Sequence, residues 1–195
     1  MRRESLIILV AVLGLILLLN GCAPFETARN VQKDSEYHQH ISELTVVVSP
    51  LGNVRQRVVA SREVVITSEL KEKLAKEVGF AHRSVSDSAA AVLADKLTSY
   101  GISIASSSQA RLVFTLYDAE TTCFSGCQHK LWYQAALYDG RFSPLKKAWS
   151  GEFSYWFSGD QEDTRQMEKQ IDNFSLQVVE QLKVSNLITT KNKGE

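Results

Sequence analysis

Three side chains near the middle of the chain could do chemistry together. Cys123, Cys127 and His129 follow one another in the order C-x3-C-x-H. Two thiols at this spacing can close a small disulfide ring, whereas two thiolates and an imidazole suit Cu(I) or Zn²⁺. The spacing therefore admits a structural bridge, a metal or thiol-redox site, or two free thiols. The choice among the three depends on the redox compartment.

The remaining histidines offer weaker sites. His38-Gln39-His40 places two imidazoles on one side of an extended stretch, which could hold a metal weakly, although two solvated histidines are the simpler interpretation. His82 has no Asp, Glu or Cys at ligand spacing. We interpret it as a partly exposed loop residue ahead of a helix.

Sequence motifs for catalysis and phosphate binding are absent. The chain has no Gly-x-Ser-x-Gly elbow, no Walker-type Gly-Lys-Ser and no Gly-x-Gly-x-x-Gly. Ser125 and the serine run 106–108 read as loops, and Glu162-Asp163 opens a helix, where acidic side chains complement the dipole. We therefore expect no catalytic residue, no cofactor and no enzymatic activity. A hydrolase with an unrecognised motif would instead need a deep pocket with convergent polar groups.

The beginning of the chain has the form of an export signal. Arg2 and Arg3 precede an apolar run over residues 6–19. As a helix this run spans about 21 Å, which is short of the roughly 30 Å hydrocarbon core that a permanent membrane helix crosses. A cleaved signal peptide fits better. The junction that follows reads Leu19-Asn20-Gly21-Cys22.

This junction resembles the lipobox of bacterial lipoproteins, which places Leu at −3, Gly or Ala at −1 and an obligatory Cys. The resemblance implies that Cys22 is alkylated with diacylglycerol, becomes the mature N-terminus and is acylated, with palmitate among the chains. Several acyl chains hold a protein on a membrane far longer than one does. By the sorting rule of the same family, Ala23 implies the outer membrane, with the protein facing the periplasm. In that oxidising compartment we expect a structural Cys123–Cys127 disulfide worth on the order of 2 kcal/mol, and no metal site.

Composition bounds the class of protein and its domains. The chain has 195 residues, of which 44% are hydrophobic and 23% charged, as in a single globular domain. Its 22 Lys and Arg balance 22 Asp and Glu, so no basic field favours nucleic acid, which we exclude as a partner. We expect a signal peptide over 1–21, a lipidated N-terminus and flexible tether over 22–42, one periplasmic domain over 43–188 and a polar tail over 189–195.

Hydrophobic periodicity predicts the order of the secondary-structure elements. Alternation predicts strands at 44–48, 102–105, 110–120, 129–139 and 148–157, with strand-like fragments at 58–59 and 64–66. The last three of these strands are expected to form an antiparallel meander. Spacings of three and four predict three helices. The first covers 69–78, the second runs from a cap at Ser86 or Asp87 to a stop at Gly101, and the third covers 160–183.

This order predicts an α+β fold, a two-layer sandwich in which two main helices pack on one face of a mostly antiparallel sheet. The last strands are rich in aromatic residues, and alternation puts Tyr155 and Phe157 on the face opposite Trp156. One aromatic set would then lie on the face without helices, where it could bind a partner.

The element order resembles that of small envelope lipoproteins, such as the lipopolysaccharide-assembly lipoprotein and the auxiliary lipoproteins of transport systems. The resemblance implies an accessory role. The leading hypothesis is a membrane-anchored, non-enzymatic binding module for cell-envelope assembly or transport, with an envelope protein as its partner. The alternative is a periplasmic metal-binding or thiol-redox lipoprotein that uses Cys123, Cys127 and His129.

Overall fold

A computed structural model describes residues 28–61, 64–124, 126–158 and 164–188. The expected signal peptide, the lipidation site Cys22 and the polar tail lie outside these residues. The strands are β1 (Arg29–Lys33), β2 (Glu43–Val48), β3 (Arg55–Ala60), β4 (Ser103–Ile104), β5 (Ala110–Cys123), β6 (Cys127–Asp139) and β7 (Lys146–Ser158). The helices are α1 (Ser68–Ser84), α2 (Ala90–Ser99) and α3 (Thr164–Val184), with a π-helical segment, Val85–Ala89, between α1 and α2.

The strands form one mixed sheet, in the order β1-β7-β6-β5-β2-β4, with β3 also paired to β5. The predicted meander is confirmed, because β5, β6 and β7 pair antiparallel. One edge differs from the prediction: β2 and β3 run parallel to β5, β2 along its first part and β3 along its last part. Parallel strands need a long crossover, which α1 and α2 provide between β3 and β5. The predicted α+β class is confirmed, with a mixed sheet.

Residues 29–41 belong to the fold, where we had expected part of a flexible tether. β1 pairs antiparallel with β7 and forms an edge of the sheet. Tyr37 and Ile41 are buried, and the Tyr37 hydroxyl donates a hydrogen bond of 2.9 Å to Asp139. The sequence of β1 shows no apolar alternation because four of its five residues are exposed at the sheet edge.

The two predicted helices over 69–101 are one continuous helical stretch rather than two capped helices. Ser86 does not cap a helix, because its hydroxyl donates to the His82 carbonyl one turn earlier, at 3.0 Å. Buried positions along this stretch recur mostly every four residues. On an ideal α-helix each such step rotates the stripe of buried side chains by about 40° around the helix axis. The π segment holds more residues per turn and keeps the stripe facing the sheet. These positions are Leu74, Val78, Ala81, Val85, Ala89, Leu93 and Leu97.

The predicted stop at Gly101 is confirmed. Gly101 has a φ of 83°, in the left-handed region that suits glycine. Its N–H donates to the Thr98 carbonyl at 2.9 Å, and the N–H of Ile102 donates to the Leu97 carbonyl at 3.1 Å. This pair of bonds is a Schellman motif, which ends α2 and directs the chain into β4.

The helices cover one face of the sheet and form the core with it. Phe174 of α3 contacts four rings on that face, with centroid separations between 5.6 and 6.4 Å, namely Phe114, Tyr133, Phe153 and Tyr155. Tyr155 is therefore buried under the helices, on the face opposite Trp156 as alternation predicts. None of the helices within the described ranges combines the length and the apolar character needed to cross a bilayer.

Candidate functional site

Among the described residues no helix packs on the second face of the sheet, which presents a set of cations, acids and tryptophans. We call it the helix-free face. Its side chains come from β1, β3, β5, β6 and β7 and share the face because paired residues on neighbouring strands point the same way. It consists of Arg29, Arg55, Arg57, Asp118, Glu120, Lys130, Trp132, Glu152 and Trp156.

Lys130 lies at the centre of an aromatic ladder on this face. Its ammonium is 4.4 Å from the centre of the Trp132 ring and 5.0 Å from that of Trp156. The guanidinium of Arg29 lies 4.5 Å from the Trp132 ring. Lys130 and Trp132 are each only 7% exposed, whereas Trp156 is 37% exposed. A desolvated cation over an indole is worth about 2 kcal/mol, so the ladder holds the exposed indole in place.

Asp118 organises the neighbouring ionic cluster. Its carboxylate is buried and accepts from Arg55 at 2.7 Å and from Arg57 at 3.2 Å, and Arg57 also lies 3.3 Å from Glu120. The hydrogen bond from Arg55, together with the charge of Arg57, lowers the pKa of Asp118 although burial opposes the shift. The side chains of Arg55 and Arg57 are 70% and 51% exposed, so both arginines remain in contact with solvent while they are paired with Asp118.

Glu152 joins the edge strand to the middle of the sheet. It accepts from the side-chain amide of Asn30 in β1 at 2.9 Å. Burial and a hydrogen bond to Glu152 raise the pKa of Tyr117, which stays a neutral donor. The face thus combines fixed charges of both signs with an exposed indole.

The structure contains the expected disulfide between Cys123 and Cys127. It closes the turn between β5 and β6, where the two cysteines are also paired in the strand register. His129 lies on the same sheet face two residues further on, but both of its ring nitrogens are engaged. Nδ1 lies 2.9 Å from the Thr121 hydroxyl and Nε2 lies 2.9 Å from the Glu77 carboxylate. This arrangement ties the hairpin to α1 and offers neither thiolates nor an open imidazole to a metal.

His82 is a buried residue of α1 and not the partly exposed loop residue that we expected. Its Nε2 lies 3.1 Å from the carbonyl oxygen of Ser49, which can only accept, so Nε2 carries the proton. Nδ1 is then the acceptor for the Tyr133 hydroxyl at 3.0 Å. Burial lowers the pKa of His82. The sequence interpretation was wrong because the helix continues through the region that we had read as a loop.

The structure does not bring the other histidines into a site. His38 and His40 are both exposed in the segment between β1 and β2. In the part of the chain that the structure describes, no group of three or more His, Cys, Asp and Glu side chains is placed to hold a metal ion.

Sequence reasoning missed most of the helix-free face. Trp132 and Trp156 were recognised as strand aromatics, but Lys130 was not connected to them, although its position two residues before Trp132 puts both on one face. Arg29 was assigned to the tether. Arg55 and Asp118 are 63 residues apart and meet only through the parallel pairing of β3 with β5.

No protein-family model matches the chain, and no curated protein matches it. Solved structures to which the chain is similar include the PelC dodecamer from Paraburkholderia phytofirmans, with 12% identity, a TM-score of 0.41, and coverage of 78% of this chain and 97% of that one. The lipoprotein GNA1162 from Neisseria meningitidis is 16% identical, with a TM-score of 0.31 and coverage of 71% and 99%. The hypothetical protein CT253 from Chlamydia trachomatis is 12% identical, with a TM-score of 0.31 and coverage of 73% and 96%.

Proposed function

We propose that this protein is a lipid-anchored, non-enzymatic binding module of the bacterial outer membrane that faces the periplasm and holds an envelope protein. The observation that carries the proposal is the helix-free face. It presents Trp156, Arg55 and Arg57 to solvent, each held by partly or wholly buried neighbours. Tryptophan and arginine are the residue types most enriched at the energetic centres of protein interfaces.

The geometry of the face also favours a protein partner over a small substrate. Its cations and acids are spread over five strands, and its exposed groups include three arginines and one indole. Such a surface of mixed charge suits a partner with a complementary charge pattern, which sets register and association rate more than affinity. The lipobox at Cys22 would keep this surface beside the membrane in which such a partner resides.

The anchor is tested by changing Cys22 to Ala. The sulfur is the only atom in the lipobox that can accept diacylglycerol, so the variant should incorporate no acyl-chain probe during metabolic labelling. Wild-type protein should be labelled and should sediment with outer membranes. Label retained in the Cys22→Ala protein would contradict the anchor.

The binding face is tested by site-specific photocrosslinking in cells. A photoreactive amino acid is placed at Trp156 on the helix-free face and, as the matched control, at Leu176 on α3, since these residues are 37% and 41% exposed. We expect one discrete adduct with an envelope protein from position 156 and none from 176. The charge reversal Arg57→Glu should weaken that adduct. Equal adducts from both positions, or an adduct indifferent to Arg57, would contradict a partner on this face.

A further inference from the structure

Large apolar side chains are exposed together at one end of the sheet. Phe124 in the β5–β6 hairpin is 66% exposed, and Val59, Val65 and Ile66 are exposed as well. Four exposed apolar side chains at one site are more than scattered surface residues require. We call this group the apolar end.

Backbone hydrogen bonds hold the apolar end together. β3 pairs with β5 until Ala60 lies opposite Cys123, and the N–H of Ser61 donates to the Cys123 carbonyl at 3.1 Å. The N–H of Val64 then donates to the Ser61 carbonyl at 3.1 Å, which keeps the segment before α1 beside the hairpin. The disulfide fixes the hairpin itself. The described residues of the apolar end are therefore joined by backbone hydrogen bonds and by the disulfide.

The first residues of β1, which are the described residues nearest to Cys22 in the sequence, lie toward this same end of the sheet. β1 is antiparallel to β7, with Lys33 opposite Trp149 and Arg29 opposite Glu152. Earlier residues of β1 therefore lie beside later residues of β7. Because β6 and β7 pair Gln128 with Ser158, the far end of β7 lies beside the hairpin that carries Phe124. The N-terminal end of β1 therefore points toward the apolar end.

The length of the anchor segment, from Cys22 to Arg29, limits how far the apolar end can stand from the lipid. From Glu152 to the end of β7 at Ser158 the sheet extends about 20 Å, at roughly 3.3 Å per residue. From Arg29 back to Cys22 the chain spans at most about 25 Å when fully extended. A fully stretched segment thus passes the end of the sheet by only a few ångströms. With the acyl chains of Cys22 in the bilayer, the apolar end comes to lie at the level of the headgroups.

We propose that the apolar end rests on the lipid surface, with Phe124, Val65 and Ile66 among the headgroups of the leaflet that holds the acyl chains of Cys22. The inference rests on the anchor in the proposed function and adds an orientation to it. The sheet then stands upright on the membrane, because its opposite end, at Lys146, lies about 40 Å away along β7. The helix-free face is held perpendicular to the bilayer, open to a partner alongside.

The test measures contact between single positions and lipid in the lipidated full chain. The protein is produced with its own signal, reconstituted in vesicles of phosphatidylethanolamine and phosphatidylglycerol, and separated by flotation. Phe124→Trp reports on the apolar end, and Leu145→Trp, at a residue 56% exposed beyond the opposite end of the sheet, is the matched control. Lipids brominated near the headgroup quench tryptophan emission at short range. Wild-type protein gives the contribution of its own three tryptophans.

We expect the quenched fraction to rise above wild type in Phe124→Trp and to fall below it in Leu145→Trp, whose added emission is beyond the reach of the bromines. Protein that floats with the vesicles but shows equal quenching in the two variants overturns the orientation and leaves the anchor intact. If a second copy or a protein partner covers position 124 instead, the tryptophan placed there is shielded from the bromines and is not quenched. That result also overturns the orientation and leaves the anchor intact. Protein that does not float overturns the anchor and this inference with it.

Discussion

Removing the hydroxyl of Tyr133 should destabilise the protein by breaking one buried hydrogen bond. Tyr133 is fully buried, and its hydroxyl donates to Nδ1 of His82 at 3.0 Å. In Tyr133→Phe, Nδ1 of His82 is left as an acceptor without a donor. The ring proton stays on Nε2, where it is donated to the Ser49 carbonyl. A buried acceptor left unsatisfied costs about 1 to 3 kcal/mol of the free energy of unfolding. Urea unfolding followed by tryptophan fluorescence measures this loss.

The same chemical change at Tyr155 is the control and should have the opposite sign. Tyr155 is buried beside the same Phe174 ring, yet its hydroxyl has no hydrogen-bond partner among the described residues. Burying an unpaired hydroxyl costs free energy, so Tyr155→Phe should leave stability unchanged or raise it by up to about 1 kcal/mol. Equal losses in the two variants would refute the assignment of the Tyr133–His82 bond.

The pH dependence of stability tests the burial of His82 independently of that hydrogen bond. Burial lowers the pKa of His82, whereas the unfolded chain titrates near pH 6.5. The unfolded state therefore binds a proton that the folded state refuses, so stability falls as the pH drops below about 6.5 toward the lowered folded pKa. One such group contributes a slope of up to about 1.4 kcal/mol per pH unit. His82→Gln should flatten this slope in urea unfolding between pH 7.5 and 5.5, and an unchanged slope would assign it to another group.

Three further outcomes are expected. Changing both Cys123 and Cys127 to Ser should leave the protein folded, with a loss on the order of 1 to 2 kcal/mol in the free energy of unfolding by urea, because so short a loop removes little entropy from the unfolded chain. The mass of the non-reduced wild-type peptide should show the disulfide, and two free thiols would contradict it. Asp139→Asn should cost about 2 to 3 kcal/mol at pH 7, since the buried carboxylate accepts from Tyr37 and from a guanidinium, and protection of the Tyr37 amide from hydrogen exchange should fall with it. Gly101→Ala should cost about 1 to 2 kcal/mol in thermal unfolding because of its positive φ; an unaltered midpoint would speak against the Schellman geometry.

Local patterns predicted the parts of the fold that depend on local physics. Alternation placed the meander, and Gly101 marked the end of α2, because side-chain direction and glycine conformation are properties of single elements. The parallel pairing of β2 and β3 with β5 was beyond such reasoning, since it depends on a crossover of about fifty residues. The partnership of Asp118 with Arg55 was hidden for the same reason. β1 escaped notice because an edge strand with both faces wet shows no hydrophobic period.

The antiparallel pairing of β1 with β7 has a mechanical consequence for a protein tethered by its N-terminus. A pull on the anchor segment acts along the axis of β1, whereas its hydrogen bonds to β7 run across that axis. The ladder is then loaded in shear, with all its bonds sharing the force, instead of being peeled open one bond at a time. Tyr37 follows β1 in the sequence, and its hydrogen bond to Asp139 attaches the chain to the sheet a second time. Drag on a bound partner would have to break both attachments before the core separated from its anchor.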